Sequence, residues 1–157
     1  MNALRPLTPL QALEKARRWC ALQERCHTEV HTKLCSWGLT HDEANQIAAQ
    51  LISEGFLNEE RFARAFSRGK FRMKQWGRNK IVHELKKKKV TPYCIHKGLE
   101  EIDDDEYMQM LRKLLLKRRQ EVKERNPWKR KAKIVSFLVA KGYETELIKD
   151  VLSDSEE

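Results

Sequence analysis

One pattern recurs three times at long spacing in this 157-residue chain. Leu34, Leu85 and Leu138 stand 51 and 53 residues apart. Each has an apolar residue four before it (Val30, Ile81, Ile134) and another five after it (Leu39, Val90, Tyr143). Self-similarity at such a period marks tandem supersecondary units that bury their apolar faces against one another. Chains of this kind bind along an extended surface more often than they build a catalytic pocket.

Glycine and proline are few, and they punctuate the pattern. No Asn-Gly or Asp-Gly pair joins alternating segments, so no sheet is expected. Pro9 opens a helix to about Arg25, with Leu10, Leu13, Ala16 and Cys20 inward, Arg17 and Trp19 at the edge and Arg18 away. The next helix runs from about Thr28 and ends by Gly38, a residue suited to the left-handed position after a helix. Thr40 and Glu43 form a capping-box pair before a stripe of Ala44, Ile47, Ala48 and Leu51.

The second unit repeats the plan. Asn58 caps a helix whose inner side is Phe62, Ala63, Phe66, Gly69 and Met73. Gly77 breaks the chain before Ile81, Val82 and Leu85, and Thr91-Pro92 starts a helix with Ile95 and Leu99 inward. The third opens on Asp103-Asp104-Asp105 and carries Met108, Leu111, Leu115 and Val122 to about Arg125. Asn126-Pro127 stops that helix. Ile134, Val135 and Leu138 then precede Gly142, and Leu147, Ile148, Val151 and Leu152 follow. Residues 153–157 are expected to fray. The reading is all-α: three tandem three-helix repeats over 1–55, 56–102 and 103–157, forming an elongated, curved, solenoid-like chain.

Charge is distributed unevenly. Residues 61–89 hold 12 basic side chains against Glu84, and residues 112–133 hold 11 against Glu121 and Glu124. Residues 1–60 hold 6 basic and 8 acidic. Two separated positive blocks imply a polyanionic partner, nucleic acid first and an acidic protein groove second. The four cysteines show no CxxC spacing, no apolar run is long enough to span a membrane, and the first residues lack a signal-peptide core. These features predict a cytoplasmic protein with reduced thiols.

The stretch Gly55-Phe56-Leu57-Asn58-Glu59-Glu60-Arg61-Phe62-Ala63, continued by Arg68, Lys74, Gly77, Lys80-Ile81 and Glu84-Leu85, resembles the middle repeat of the RecX recombination regulators. Those proteins also have three tandem three-helix repeats, so the resemblance extends over essentially the whole chain. Arg78 stands where the family has proline, Lys80 where it has arginine, and Lys89 where it has glycine. If Lys89 lies in the left-handed region, it costs stability there. The resemblance implies a non-enzymatic regulator without a cofactor. It would bind the RecA recombinase filament and single- and double-stranded DNA as a monomer, and restrain strand exchange and ATP hydrolysis. A free-standing nucleic-acid-binding module with no recombinase partner is the alternative.

The candidate binding residues are Arg61, Arg64, Arg68, Lys70, Arg72, Lys74, Arg78 and Lys80. Arg61, Arg64 and Arg68, spaced by 3 and 4, share a helix face roughly opposite Phe62 and Phe66. Their planar guanidinium groups suit phosphate, and phosphate contacts carry no sequence choice. Lys86 to Lys89 either add to the field or favour the negative end of their helix. Lys117 and Arg118, with Arg112, Lys113, Arg119 and Lys129 to Lys131, either extend the surface or form the outward face of a long helix. Trp76 and Trp128 both sit just before a second helix, which favours packing over base stacking; Trp37 and Phe71 are open either way.

Other chemistries are weaker. His27, His31 and Cys35 recur every four residues, as zinc ligands could. They drift around the helix from the core edge toward solvent, however, and the equivalent positions are Arg78, Val82 and Lys86, then Lys131, Val135 and Val139. No metal site is therefore expected. Ser67-Arg68-Gly69-Lys70 lacks the upstream glycine of a phosphate loop, and no catalytic serine or paired-carboxylate motif occurs.

Overall fold

The computed structural model describes residues 6–155, which form nine helices and no strand. They are α1 (Pro9–Leu22), α2 (His27–Ser36), α3 (His41–Ser53), α4 (Glu59–Lys74), α5 (Arg78–Lys87), α6 (Pro92–Leu99), α7 (Asp104–Glu121), α8 (Pro127–Lys141) and α9 (Thr145–Ser155). The starts are fixed by caps. Thr8 and Thr40 each make a reciprocal capping box, and Asn58, Thr91, Asp103 and Asn126 accept backbone N–H groups at the starts of α4, α6, α7 and α8.

The threefold sequence pattern has a local cause. Leu34, Leu85 and Leu138 lie near the ends of α2, α5 and α8 and are fully buried. The carbonyl of each accepts the N–H five residues on, from Leu39 at 3.4 Å, Val90 at 3.1 Å and Tyr143 at 3.2 Å. This is the Schellman termination, and its usual companion is an apolar contact across the same span. The residue before each donor is left-handed: Gly38 at φ 92°, Lys89 at φ 60° and Gly142 at φ 103°. Lys89 is therefore strained where a glycine would not be. Lys89→Gly should raise stability by about 1 kcal/mol. A urea titration checks this as a higher midpoint at unchanged slope.

There are two cores. The first joins Ala12, Leu13, Ala16, Cys20, Val30, Leu34, Leu39, Ala44, Ile47, Leu51 and Leu57. The second runs continuously through α4 to α9 and takes in Cys26 from the first triplet. The rings of Phe71 and Tyr107 lie 5.9 Å apart, and those of Tyr107 and Tyr143 5.1 Å apart, so one aromatic column links α4, α7 and the turn between α8 and α9. Beside it, two glycines bring backbones together. The Gly77 N–H donates to the Lys141 carbonyl at 2.7 Å and the Asn79 N–H to the Gly142 carbonyl at 2.9 Å. A Cβ on Gly77 would stand 2.3 Å from the Gly142 carbonyl carbon. Gly98 similarly lets α6 close on α4, where a Cβ would meet the Ala63 carbonyl oxygen at 2.7 Å.

Some faces differ from the expected ones. Leu10 is exposed and Ala12 is buried in its place. On α4, Ser67 and Phe71 are buried while Met73 is 83% exposed and Gly69 only half-buried. The small Ser67 admits Gly98, and Phe71 is claimed by Tyr107, so the helix is rotated toward those neighbours. The first helix ends at Leu22 rather than near Arg25, and α7 ends at Glu121. Ser153 to Ser155 remain helical rather than frayed, and Ser155 accepts a hydrogen bond from Arg119. The rest of that tail, 156–157, and the first residues, 1–5, lie outside the described ones.

Candidate nucleic-acid interface

The three arginines expected to project from α4 are held by carboxylates. Arg64 reaches Glu101 at 3.1 Å and Glu60 and Glu100 at 3.6 Å. Arg68 reaches Glu101 at 3.2 Å. Arg61 bonds Glu24 at 2.5 Å and the Gly55 carbonyl at 2.9 Å. The hydrogen bond to Glu101 holds the Arg64 guanidinium above its ordinary pKa. The same clasp is built in the first triplet. Arg17 on α1 bonds Glu54 just past α3, at 2.8 and 2.5 Å, and both Arg17–Glu54 and Arg64–Glu101 span 37 residues. That shared offset is the sequence signal that marks Arg64 as a link between the first and third helices of its triplet. The three side chains do not lie opposite the core line, because the buried face is centred on Ala63, Ser67 and Phe71.

Arg78 is also an internal strut. Its guanidinium lies 3.9 Å over the Tyr107 ring and pairs with Asp104 at 2.7 Å and Glu144 at 3.0 Å. The Tyr107 hydroxyl accepts the Arg78 N–H at 3.0 Å and donates to Glu144. Burial, ahead of that bond to Glu144, pushes the Tyr107 hydroxyl well above the ordinary phenol range, so it stays a donor. Tyr107, one position from the expected Met108, is the group on which the second and third triplets meet.

The remaining candidates stand differently. Lys70 lies 5.0 Å and Lys80 4.6 Å from the centre of the Trp76 ring. Lys70 also lies 5.4 Å, and Lys88 6.0 Å, from the centre of Phe66. Phe66 and Trp76 meet edge to face at 6.3 Å, so Trp76 is packed, as expected, but under a cationic cover. Arg72, Lys74 and Lys117 are exposed and have no charged, hydrogen-bonding or ring partner for their side chains among the described residues. Arg112, Lys113, Lys123, Arg125 and Lys129 share that condition. Arg118 is half-buried, 4.6 Å over Phe137 and 3.5 Å from Glu121. Of the lysine run, Lys88 is tied to Glu29 at 3.0 Å, Lys87 reaches Glu84 at 3.6 Å, and Lys86 is free among the described residues.

The expected packing of Trp128 is wrong: it is 85% exposed. Asn126 and Pro127 start α8 without it, since the Asn126 side chain accepts the N–H groups of Trp128 and Lys129. On α2, the Cys35 sulfur lies 3.9 Å from His31 Nδ1, and the His31 ring meets His41 edge-on at 4.6 Å. No group of three metal-holding side chains assembles among the described residues. Nor is any described helix long and apolar enough to cross a membrane.

Two family profiles match consecutive parts of the chain: RecX, second three-helix domain, over residues 58–99, and RecX, third three-helix domain, over 104–152. The chain belongs to the RecX family. Its α4–α6 and α7–α9 are thus RecX three-helix domains, and the clasp and strut described above lie within and between them. Regulatory protein RecX of Lactobacillus johnsonii is 28% identical over 136 residues, covering 87% of this chain and 50% of that protein. Regulatory protein RecX of Mycolicibacterium smegmatis is 25% identical over 147 residues, covering 91% and 78%. The chain spans half the length of the first of these relatives. The crystal structure of RecX from Lactobacillus salivarius superimposes with a TM-score of 0.82 at 20% identity, covering 93% of this chain and 95% of that one. That likeness establishes the shared all-α repeat fold.

Proposed function

We propose that this chain is a non-catalytic regulator of recombination that acts in the cytoplasm by binding the RecA recombinase filament and its DNA, without sequence preference. Membership of a family of proteins named regulatory supports the regulatory part. The observation that carries the DNA part is the set of exposed cations, without partners among the described residues, at Arg72 and Lys74 on α4 and at Arg112, Lys113 and Lys117 on α7. A long side chain left free in water loses little entropy until an anion arrives, and phosphate is the anion that a dispersed set of such charges fits. Arg61, Arg64, Arg68 and Arg78 hold the frame, and Lys70 and Lys80 lie between the two roles.

The test is RecA ATP hydrolysis on single-stranded DNA, titrated with this protein. Hydrolysis should fall, and binding to the DNA alone should weaken with salt at a log–log slope of about −0.7 per phosphate neutralised. Unchanged hydrolysis beside salt-dependent DNA binding would leave a nucleic-acid module without a recombinase partner. A flat salt response would remove the phosphate reading altogether.

A further inference from the structure

We infer that Trp128 is a base-stacking platform for single-stranded nucleic acid, set in a groove of α8 distinct from the basic end of α4. The inference rests on the DNA part of the proposed function and names a contact within it.

The groove is lined by Arg119, Pro127, Trp128, Arg130, Lys131, Ile134 and Leu152, with a volume of about 310 Å³. Three of its lining residues are cations, and no carboxylate among the described residues lines it. Two of these cations are held in place, Arg119 by its bond to the Ser155 hydroxyl. Arg130 donates to the Val122 carbonyl at 2.6 Å and to the Arg119 carbonyl, which ties it to the end of α7. Lys129, Lys123 and Arg125, which have no side-chain partner among the described residues, lie close by in sequence.

The indole beside this charge does no packing work. At 85% it is the most exposed large hydrophobic side chain of the described residues, while Trp19, Trp37 and Trp76 are all half-buried. The start of α8 is already made by Asn126 and Pro127, so neither the core nor the cap requires a tryptophan here. An indole offering open π-face next to fixed positive charge matches an unpaired base followed by its phosphate. Every base has a stacking face, so such a contact adds affinity without sequence choice. The groove on α4 does not offer this pairing, because of its two aromatic rings Phe62 is buried and Phe66 lies under Lys70, and Glu24 lines it.

The experiment measures binding of an oligodeoxythymidylate and of an abasic strand of equal length to the full chain, as wild type, Trp128→Ala and Trp128→Phe. Trp128→Ala should weaken oligodeoxythymidylate binding about 5- to 100-fold, the range for losing one stacked base. Trp128→Phe should recover most of it. Binding to the abasic strand and the salt slope should stay as in wild type, since no charge is removed. Quenching of tryptophan emission by the oligonucleotide should be smaller in Trp128→Ala, where Trp76 beneath Lys70 and Lys80 still reports, than in wild type. The variant should keep its helical circular dichroism because the side chain is exposed. Equal oligonucleotide affinity of wild type and Trp128→Ala overturns this inference alone, including the case in which Trp128→Ala loses RecA binding and the groove takes a protein segment. A wild type that binds no DNA overturns the DNA reading with it.

Discussion

Leu85→Ala is expected to lower the unfolding free energy by about 2–5 kcal/mol, the range for truncating a buried leucine. Leu85 is fully buried, and its carbonyl receives the Val90 N–H that ends α5. Its neighbours cannot easily close the cavity. Gly77 fixes the start of α5 against the Gly142 backbone, and Lys88 fixes its end through Glu29 and through the Thr28 hydroxyl on its carbonyl at 3.2 Å. A helix pinned at both ends relaxes poorly, which puts the expected loss in the upper half of the range. Urea unfolding followed by circular dichroism measures it. A loss below about 1 kcal/mol would mean that the threefold pattern does not mark core anchors.

The second large effect separates frame from surface. Replacing Arg72, Lys74 and Lys117 with glutamine should move the urea midpoint little, because none of these side chains has a partner to lose among the described residues and no acid is placed in the last turn of α4. The same variant should bind single-stranded DNA at least tenfold more weakly. Its salt slope should shrink by about 2, from three phosphate contacts at roughly 0.7 each. Replacing Arg61, Arg64 and Arg68 with glutamate should do the reverse in stability. A glutamate at 64 would face Glu60, Glu100 and Glu101, one at 68 would face Glu101 and one at 61 would face Glu24, so like charges replace five ion pairs and the midpoint should fall. Equal DNA affinity of the first variant and wild type would exclude those three cations as the phosphate-binding set.

The two triplets of residues differ in what they touch, one paired with carboxylates and one without a partner among the described residues, and that difference shows where sequence reading stops. Spacing by 3 and 4 does place Arg61, Arg64 and Arg68 along one side of α4. It does not say which side faces the neighbouring helices, because that depends on how close α6 comes. Gly98 and Ser67 let α6 approach closely, and this turns α4 so that Arg64 borders the packed face and meets the acids at the end of α6. The paired acids Glu100 and Glu101 were visible in the sequence as a negative junction, and the 37-residue offset shared with Arg17 and Glu54 was there to be read. Arg78 is a similar case. Its partners, Asp104 and Glu144, are 26 and 66 residues away, and nothing local announces them.

The sequence by itself determined the nine helices, their caps, the triplet order and the buried anchors. Each depends on interactions within a few residues: a threonine or asparagine oxygen on a nearby N–H, a glycine or strained lysine at the left-handed position, and an apolar residue five beyond its partner. Tertiary structure alone decided that the second and third triplets share one core, that Tyr107 joins them, that Arg61, Arg64 and Arg68 are clasps, and that Trp128 stands in water. Those outcomes depend on contacts between residues tens of positions apart. Such contacts follow the distance at which helices pack, and here three glycines and a serine set that distance without any periodic mark in the chain.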